Sequence, residues 1–279
     1  MAINLATNYE AKVDEKFKQL SLSKAFTNSS YTWLNASAIV VNGRTTVAMN
    51  DYSLTGSTRY GTASELGNTV QTMLLTKDRS FTFTIDKKSK DDTNGTIFEA
   101  GKALKEQQEQ VIVPEIDAYT FGVMGTAAVA NGGTATAAIT ASNAYEKFLD
   151  GQIFLGNNLV PTEGLVAAIS YSFYKFIKLD SSFMLASEIA MEKRINGMVG
   201  EVDGVKLVKV PSSKLPTNCA FIIAHPMATV AANKLEDFTI HQNPPGISGS
   251  LVEGRVRYDA FVLNNKVNAL YMHLTAVVS

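Results

Sequence analysis

The sequence predicts an α+β protein in which short strands flank a long polar loop and one long helix separates two groups of strands. Three observations carry that class. Phe81, Phe83 and Ile85 alternate with Ser80, Thr82, Thr84 and Asp86, the two-residue period of a half-buried strand. Apolar residues recur at helical spacing from Ile97 to Val123. Between Met49 and Val70 lies a stretch with three glycines and scattered charge but no period of either kind. The 279 residues suit one large domain or two modest ones and are enough to bury a core.

Residues 8–20 read as a charged amphipathic helix with a thin stripe of Val13, Phe17 and Leu20, suited to docking on another surface. Ala38-Ile39-Val40-Val41 is a β-branched strand, continued by Thr45, Val47 and Met49. The intervening Asn42-Gly43 reads equally as a tight hairpin turn or as a kink in one long strand. The loop Asn50–Asn68 exceeds the length usual for structureless connections, which marks it as functional or mobile. Folded on itself, each limb of about ten residues would reach about 33 Å. Met73-Leu74-Leu75 then leads into the Phe81 strand.

The long helix is capped by Thr93 or Asn94, and its stripe is Ile97, Leu104, Val111, Ile112, Ile116, Tyr119 and Val123. Running to about Met124, it would span about 45 Å, with Pro114 kinking or dividing it. Residues 125–140 are small and read as a linker. Beyond it, Ser142–Asn157 is expected to be helical, with strands at Leu165–Ser170, Val205–Val210 and Cys219–Ala224. His225–Lys234 is expected to turn into a helix, and Asn243-Pro244-Pro245-Gly246 to form a loop. A closing hairpin is expected from Arg255–Val262 and Val267–His273 across Asn264-Asn265.

Composition excludes several functions. Formal net charge is −1, so there is no basic stripe of the kind that reads DNA sequence. The one cysteine, Cys219, sits in an apolar run and reads as a small buried hydrophobe. Phe121–Ala141 is broken by Asn131-Gly132-Gly133, and Gly164–Ala186 carries Lys175, Lys178 and Asp180, so neither reads as a membrane span. His225, His241 and His273 match no metal or nucleophile spacing. Gly246-Ile247-Ser248-Gly249-Ser250 lacks the strand–helix context of a phosphate loop and reads as a turn. A catalytic pairing such as Glu99 with Asp117 is outweighed by plain helical surface charge. The chain therefore reads as no enzyme, with no cofactor and no metal.

Local segments add a resemblance. Thr46–Tyr52, Asp78–Asp86, Val111–Asp117 and Tyr258–Leu263, in the order arm, protruding loop, spine helix, compact α/β region and return strands, resemble major capsid proteins of tailed bacteriophages with the Hong Kong 97-type fold. The resemblance implies an N-terminal arm at 1–27 and an extended loop with flanking strands at 28–86. It further implies a peripheral domain at 87–138, an axial domain at 139–235, and a peripheral return hairpin at 236–279. It also implies hexamers and pentamers that close an icosahedral head shell around double-stranded DNA contacted without sequence specificity. A portal, a separate scaffolding protein and a decoration protein are the partners it brings, with the virion as location after assembly in the host cytoplasm and no membrane.

Inter-subunit contacts are expected from Phe17 and Leu20 on the arm, from Tyr52, Arg59, Tyr60 and Glu65 on the loop, and from Arg44, Lys77, Asp78 and Arg79 at its base. No lysine occurs from Tyr31 to Thr76, so no isopeptide cross-link from the loop is expected. The chain starts directly with the arm, so no cleaved scaffolding segment is expected. An encapsulin-like compartment and a small-molecule hydrolase or binding protein built on 139–235 are the alternatives.

Overall fold

The computed structural model describes residues 21–28, 30–31, 38–92, 99–180 and 198–275. The charged helix expected at 8–20, with Phe17 and Leu20, lies outside these residues, as do the caps at Thr93 and Asn94 and the stripe residue Ile97.

Strands β1 (Ala38–Arg44) and β2 (Asn68–Leu74) pair antiparallel, from Ala38 opposite Leu74 to Arg44 opposite Asn68. The chain runs through Asn42-Gly43 without turning, so this pair is the interior of one strand. Regular pairing stops at Arg44, and the continuation expected at Thr45–Met49 is not strand. Strand β3 (Lys77–Asp86) has the alternation expected, with Phe81, Phe83 and Ile85 turned inward. It pairs with β10 (Gly249–Val262), whose other edge carries β9 (Thr229–Gln242), giving the order β3-β10-β9.

Helix α1 (Lys87–Asp92) leaves this sheet, and the long helix comes next as α2 (Ala100–Gln107), one π turn at Gln108–Ile112, and α3 (Val113–Ala130). Its 100–130 span is about 45 Å long. Pro114 does divide it. The proline has no N–H to give the preceding turn, and the wide turn ahead of it accommodates the missing donor. That turn inserts one extra residue and rotates the downstream helix by about 100°. The stripe Ile116, Tyr119, Val123 is therefore displaced by one position: the buried face carries Asp117, Thr120, Phe121, Met124, Gly125 and Ala128.

The expected linker at 125–140 is instead the end of α3, a turn at Gly132 (φ +70°), and β4 (Thr134–Thr136). This strand pairs in parallel with β11 (Leu270–Leu274), at the edge of a six-stranded sheet. The remaining members are β5 (Val166–Ser170), β6 (Met198–Val202), β7 (Val205–Val210) and β8 (Cys219–Ala224), in the order β4-β11-β8-β5-β7-β6. Helices α4 (Ala144–Asn157) and α5 (Tyr171–Leu179) cover one face, and α3 covers the other. With both faces covered, β5 and β8 are buried at every position, which is why they read as unbroken apolar runs.

Phe221 is the centre of the α4–α5 side, with its ring 4.6 Å from Phe173, 5.6 Å from Phe148 and 5.2 Å from His273. On the α3 side, Phe121 packs edge-on to Phe26 with centroids 5.3 Å apart.

Two expectations at the end of the chain fail for the same reason. His225–Lys234 is not a helix: Pro226 starts a single 3-10 turn (Pro226–Ala228), after which Thr229 and Val230 pair with Val262 and Phe261. The hairpin across Asn264-Asn265 does not form either. A 3-10 segment, Asn264–Ala269, carries the chain into the central sheet, where β11 lies between β8 and β4. The real hairpin is β9–β10, closed at Asn243-Pro244-Pro245-Gly246, where Asn243 (φ +47°) and Gly246 (φ +83°) take left-handed conformations. Cross-strand pairing, invisible to local pattern, decided both segments.

Candidate functional site

The two-stranded β1–β2 ribbon and its loop, residues 38–74, form an arm with no third strand among the described residues. Every residue from Thr45 to Leu66 is exposed except half-buried Gly61. Apolar side chains stand among them: Met49 is 99% exposed, Tyr60 85% and Leu54 82%. Clustered apolar exposure of this kind marks an interaction surface.

The loop is nevertheless braced. The Thr45 N–H and hydroxyl both donate to the Gly67 carbonyl, at 3.0 and 2.9 Å. Nearer the tip, the Ser53 N–H donates to the Arg59 carbonyl at 3.0 Å, and the Arg59 guanidinium to the Gly56 carbonyl at 3.2 Å. Tyr52 and Tyr60 meet edge to face at 5.0 Å.

At its root the arm seats on a small apolar cluster of its own. Met73 and Leu75 pack with Val230, Ala232 and Leu263, joined by Ile39, Val41 and Phe261. Two polar anchors fasten it. The Gln71 carboxamide donates to the Val262 carbonyl at 2.8 Å and accepts from the Asn264 N–H at 2.9 Å. Buried Asp259 accepts from the N–H and hydroxyl of Thr76, both at 2.8 Å, and from the Tyr119 hydroxyl at 2.8 Å. Burial, with Asp259 beside it, pushes the Tyr119 phenol up to about 12.

The expected contact residues divide into two groups. Arg44, Tyr52, Arg59, Tyr60 and Glu65 are exposed along the arm. At the start of β3, Lys77, Asp78 and Arg79 have partners within the chain. The Lys77 ammonium lies 5.1 Å from the Tyr119 ring centroid, and Arg79 pairs with Glu115 at 2.9 Å. The Asp78 carboxylate accepts from two of the Arg255 nitrogens, at 2.9 and 2.6 Å, and these hydrogen bonds hold its carboxyl below the usual range.

Asp117 corrects the reading of the helix carboxylates as surface charge. It is fully buried on α3, the helix face carrying Phe121. Its carboxylate accepts from the hydroxyls of Ser21 (2.8 Å) and Ser23 (2.7 Å), from the N–H groups of Leu22 (3.0 Å) and Ser23 (3.1 Å), and from the Lys214 ammonium (2.9 Å). Burial alone would raise its pKa, but the hydrogen bonds outweigh burial and hold it below the ordinary value. This carboxylate ties residues 21–23 and the 3-10 turn Ser212–Lys214 to the spine helix. Glu99 does carry the surface charge expected of it, pairing with exposed Lys102 at 2.8 Å.

No chemistry gathers elsewhere among the described residues. The histidines have separate surroundings. His225 Nδ1 accepts from the Met227 N–H at 3.2 Å, and His241 faces Glu253 at 3.3 Å on the sheet surface. His273 is fully buried, and its Nε2 lies 3.3 Å from the Ala137 carbonyl. No group of three metal-ligating side chains occurs among the described residues, and no described helix is long and apolar enough to cross a membrane. Burial pushes the Cys219 thiol up to about 12. A cleft of about 260 Å³ beside it is lined by Ser170, Phe173 and Thr217, with no charged side chain.

No family model and no curated protein matches the chain. Solved structures do. A capsid structure of the cyanophage P-SCSP1u matches with a TM-score of 0.74 at 11% identity, covering 97% of this chain and 93% of that one. The asymmetric unit of the bacteriophage PhiM1 mature capsid matches at 0.71 and 11% identity, covering 100% and 93%. A structure from Mycobacterium phage Che8 matches at 0.68 and 13%, covering 95% of each chain. At these identities the likeness is one of fold, and the fold is that found in phage capsid structures.

Proposed function

We propose that the chain is a major capsid protein, a structural subunit that assembles with copies of itself into the icosahedral head shell of a tailed bacteriophage. The observation that carries this reading is the fold match to phage capsid chains over 97% and 100% of this chain. The exposed apolar arm supports it, because such a surface needs a partner. In this reading residues 1–27 form the N-terminal arm and 28–86 the extended loop with its strands. The peripheral part is built on 87–138 and 236–279 and the axial part on 139–235, with β4 and β11 crossing into the axial sheet.

Energetics favour a closed, multivalent assembly over a pair. Val47, Met49, Tyr52, Leu54, Tyr60 and Leu66 are the exposed large apolar residues of the loop. Burying such side chains fully is worth about 1.5–3 kcal/mol each. The freedom lost on association costs about 4–15 kcal/mol, so one arm contact is close to balance. In a ring, each copy gives its arm to one neighbour and receives the arm of another. Hexamers and pentamers supply that closure, with obligate interfaces typically above about 2,000 Å². The stretch from Tyr31 to Thr76 contains no lysine, so the arm binds without a covalent cross-link. Double-stranded DNA held without sequence reading, a portal, and scaffolding or decoration proteins complete the proposed virion setting.

Negative-stain microscopy and light scattering of the purified protein test this directly. Closed particles are expected, free of cross-linked ladders on a denaturing gel. A stable monomer with saturable small-molecule binding overturns the reading, and DNA-free particles filled with an enzyme cargo redirect it to a compartment.

A further inference from the structure

We propose that Gln71 sets the direction of the arm, acting as a positioning residue whose carboxamide fixes the angle between the β1–β2 ribbon and the body. Among the described residues the ribbon has no third strand, and outside its root the loop is exposed, so its direction is decided where it meets the body. The apolar cluster at the root supplies adhesion, but apolar contacts have no directional preference. Direction needs hydrogen bonds, and Gln71 makes two at once. It donates to the Val262 carbonyl and accepts from the Asn264 N–H, spanning the point where β10 ends and the 3-10 segment begins. Both bonds reach chain about 190 residues away, so they hold one body against another and do not merely stiffen the ribbon. Gly43, opposite Thr69, lets the Asn265 side chain close against the ribbon where a Cβ would collide with it. A cleft of about 200 Å³, lined by Val41, Gly43, Thr69, Gln71 and Asn265, leaves room for the ribbon to tilt if the carboxamide lets go.

The lever is long. From Gln71 to the loop tip near Gly56 the limb reaches up to about 50 Å at strand rise. A rotation of about 10° at the root therefore moves the tip by up to about 9 Å, against a contact range of about 4 Å. A clamp of two hydrogen bonds can thus decide whether the arm meets its surface while contributing little to stability.

Spin labels at Met49→Cys and Asn157→Cys, in a Cys219→Ala background and diluted with unlabelled chain, report the arm-to-body distance. Gln71→Met removes both hydrogen bonds at similar volume. Gln71→Glu keeps an acceptor for the Asn264 N–H but sets a carboxylate against the Val262 carbonyl. The distance distribution is expected to shift or broaden by several ångström in both variants, with thermal midpoint and far-ultraviolet dichroism nearly unchanged. Hydrogen exchange at Asn264 is expected to accelerate in Gln71→Met and to stay slow in Gln71→Glu. An unaltered distance distribution in both variants overturns the proposal. The distance is read on the chain whether or not it forms particles, so a failure to assemble counts against the shell reading and leaves this one standing.

Discussion

Phe221 on β8 and Tyr60 on the arm are both large aromatics, yet their surroundings are opposite. Phe221 is fully buried among the rings of Phe148, Phe173, Tyr271 and His273, while Tyr60 is 85% exposed with one aromatic neighbour, Tyr52. The central sheet is covered on both faces by helices of its own chain and is energetically complete. The arm keeps its shape by backbone and ring contacts and leaves its apolar side chains unpaired with any core. Stability therefore resides in one region and, in the proposed reading, association in the other, and substitutions should separate the two.

The largest loss of stability is expected at the sheet. Phe221→Ala should cost about 3–5 kcal/mol, read as a fall in the denaturant midpoint, because the surrounding rings cannot collapse fully into the space. Asp117→Ala should come close behind, at about 3–5 kcal/mol, since it strands the buried Lys214 ammonium. The pH dependence sharpens that test. Asp117 has a folded pKa below its unfolded value of about 4, so its contribution is present above that value and fades as pH falls through the lower folded one. A stability profile identical in the variant and the parent at acid pH would contradict this.

A smaller effect is expected at His273, whose pKa burial lowers, with Lys147 adding to the shift while the Ala137 carbonyl and Asp150 oppose it. Its unfolded form takes up a proton near pH 6.5 while the folded form stays neutral. Stability should therefore fall as pH drops from about 6.5 towards the folded value, and His273→Phe should flatten that slope in chemical denaturation series. The smallest change in stability, within about 0.5 kcal/mol, is expected for Met49→Lys combined with Leu54→Lys. That same pair should abolish particle formation in micrographs. Large stability loss from these exposed positions, or intact particles, would erase the contrast between arm and sheet.

Legibility in the sequence divides along the same line. Strands β3, β5, β7 and β8, helix α4 and the long helix were readable because each carries a local period or an unbroken apolar run. The protruding loop was readable because it carries neither. The buried face of α3 was misread by one position, since one extra residue in the π turn before Pro114 leaves no mark in the apolar spacing. The start of β9 reads as helix because nothing local marks its hairpin pairing with β10, and β11 reads as a strand but with the wrong partner, since β8 and β4 lie far away in sequence. The expected contact residues Tyr52, Arg59, Tyr60 and Glu65 lie on the exposed arm, where Met49 and Leu54, which carry no signal in the sequence, are also largely exposed. Gln71 gives no signal and Asp117 almost none: a glutamine in a strand and a carboxylate on a helix look like surface until both ends of their hydrogen bonds are seen. For Asp117 the one hint was its place a single turn before Phe121, between Ile116 and Ala118.

Cys219 has a practical consequence. It is the chain's one thiol, it lies at the head of a strand buried at every position, and burial pushes its pKa up to about 12. A thiol reagent should therefore react slowly with it in the folded chain and faster when β8 separates from β11, since the reactive species is the thiolate. The rate of labelling in native buffer is a clock for the opening of the central sheet. Because the arm carries no cysteine, the label reports on the central sheet alone, and comparing its rate in dilute and concentrated protein would show how far any association stiffens that core.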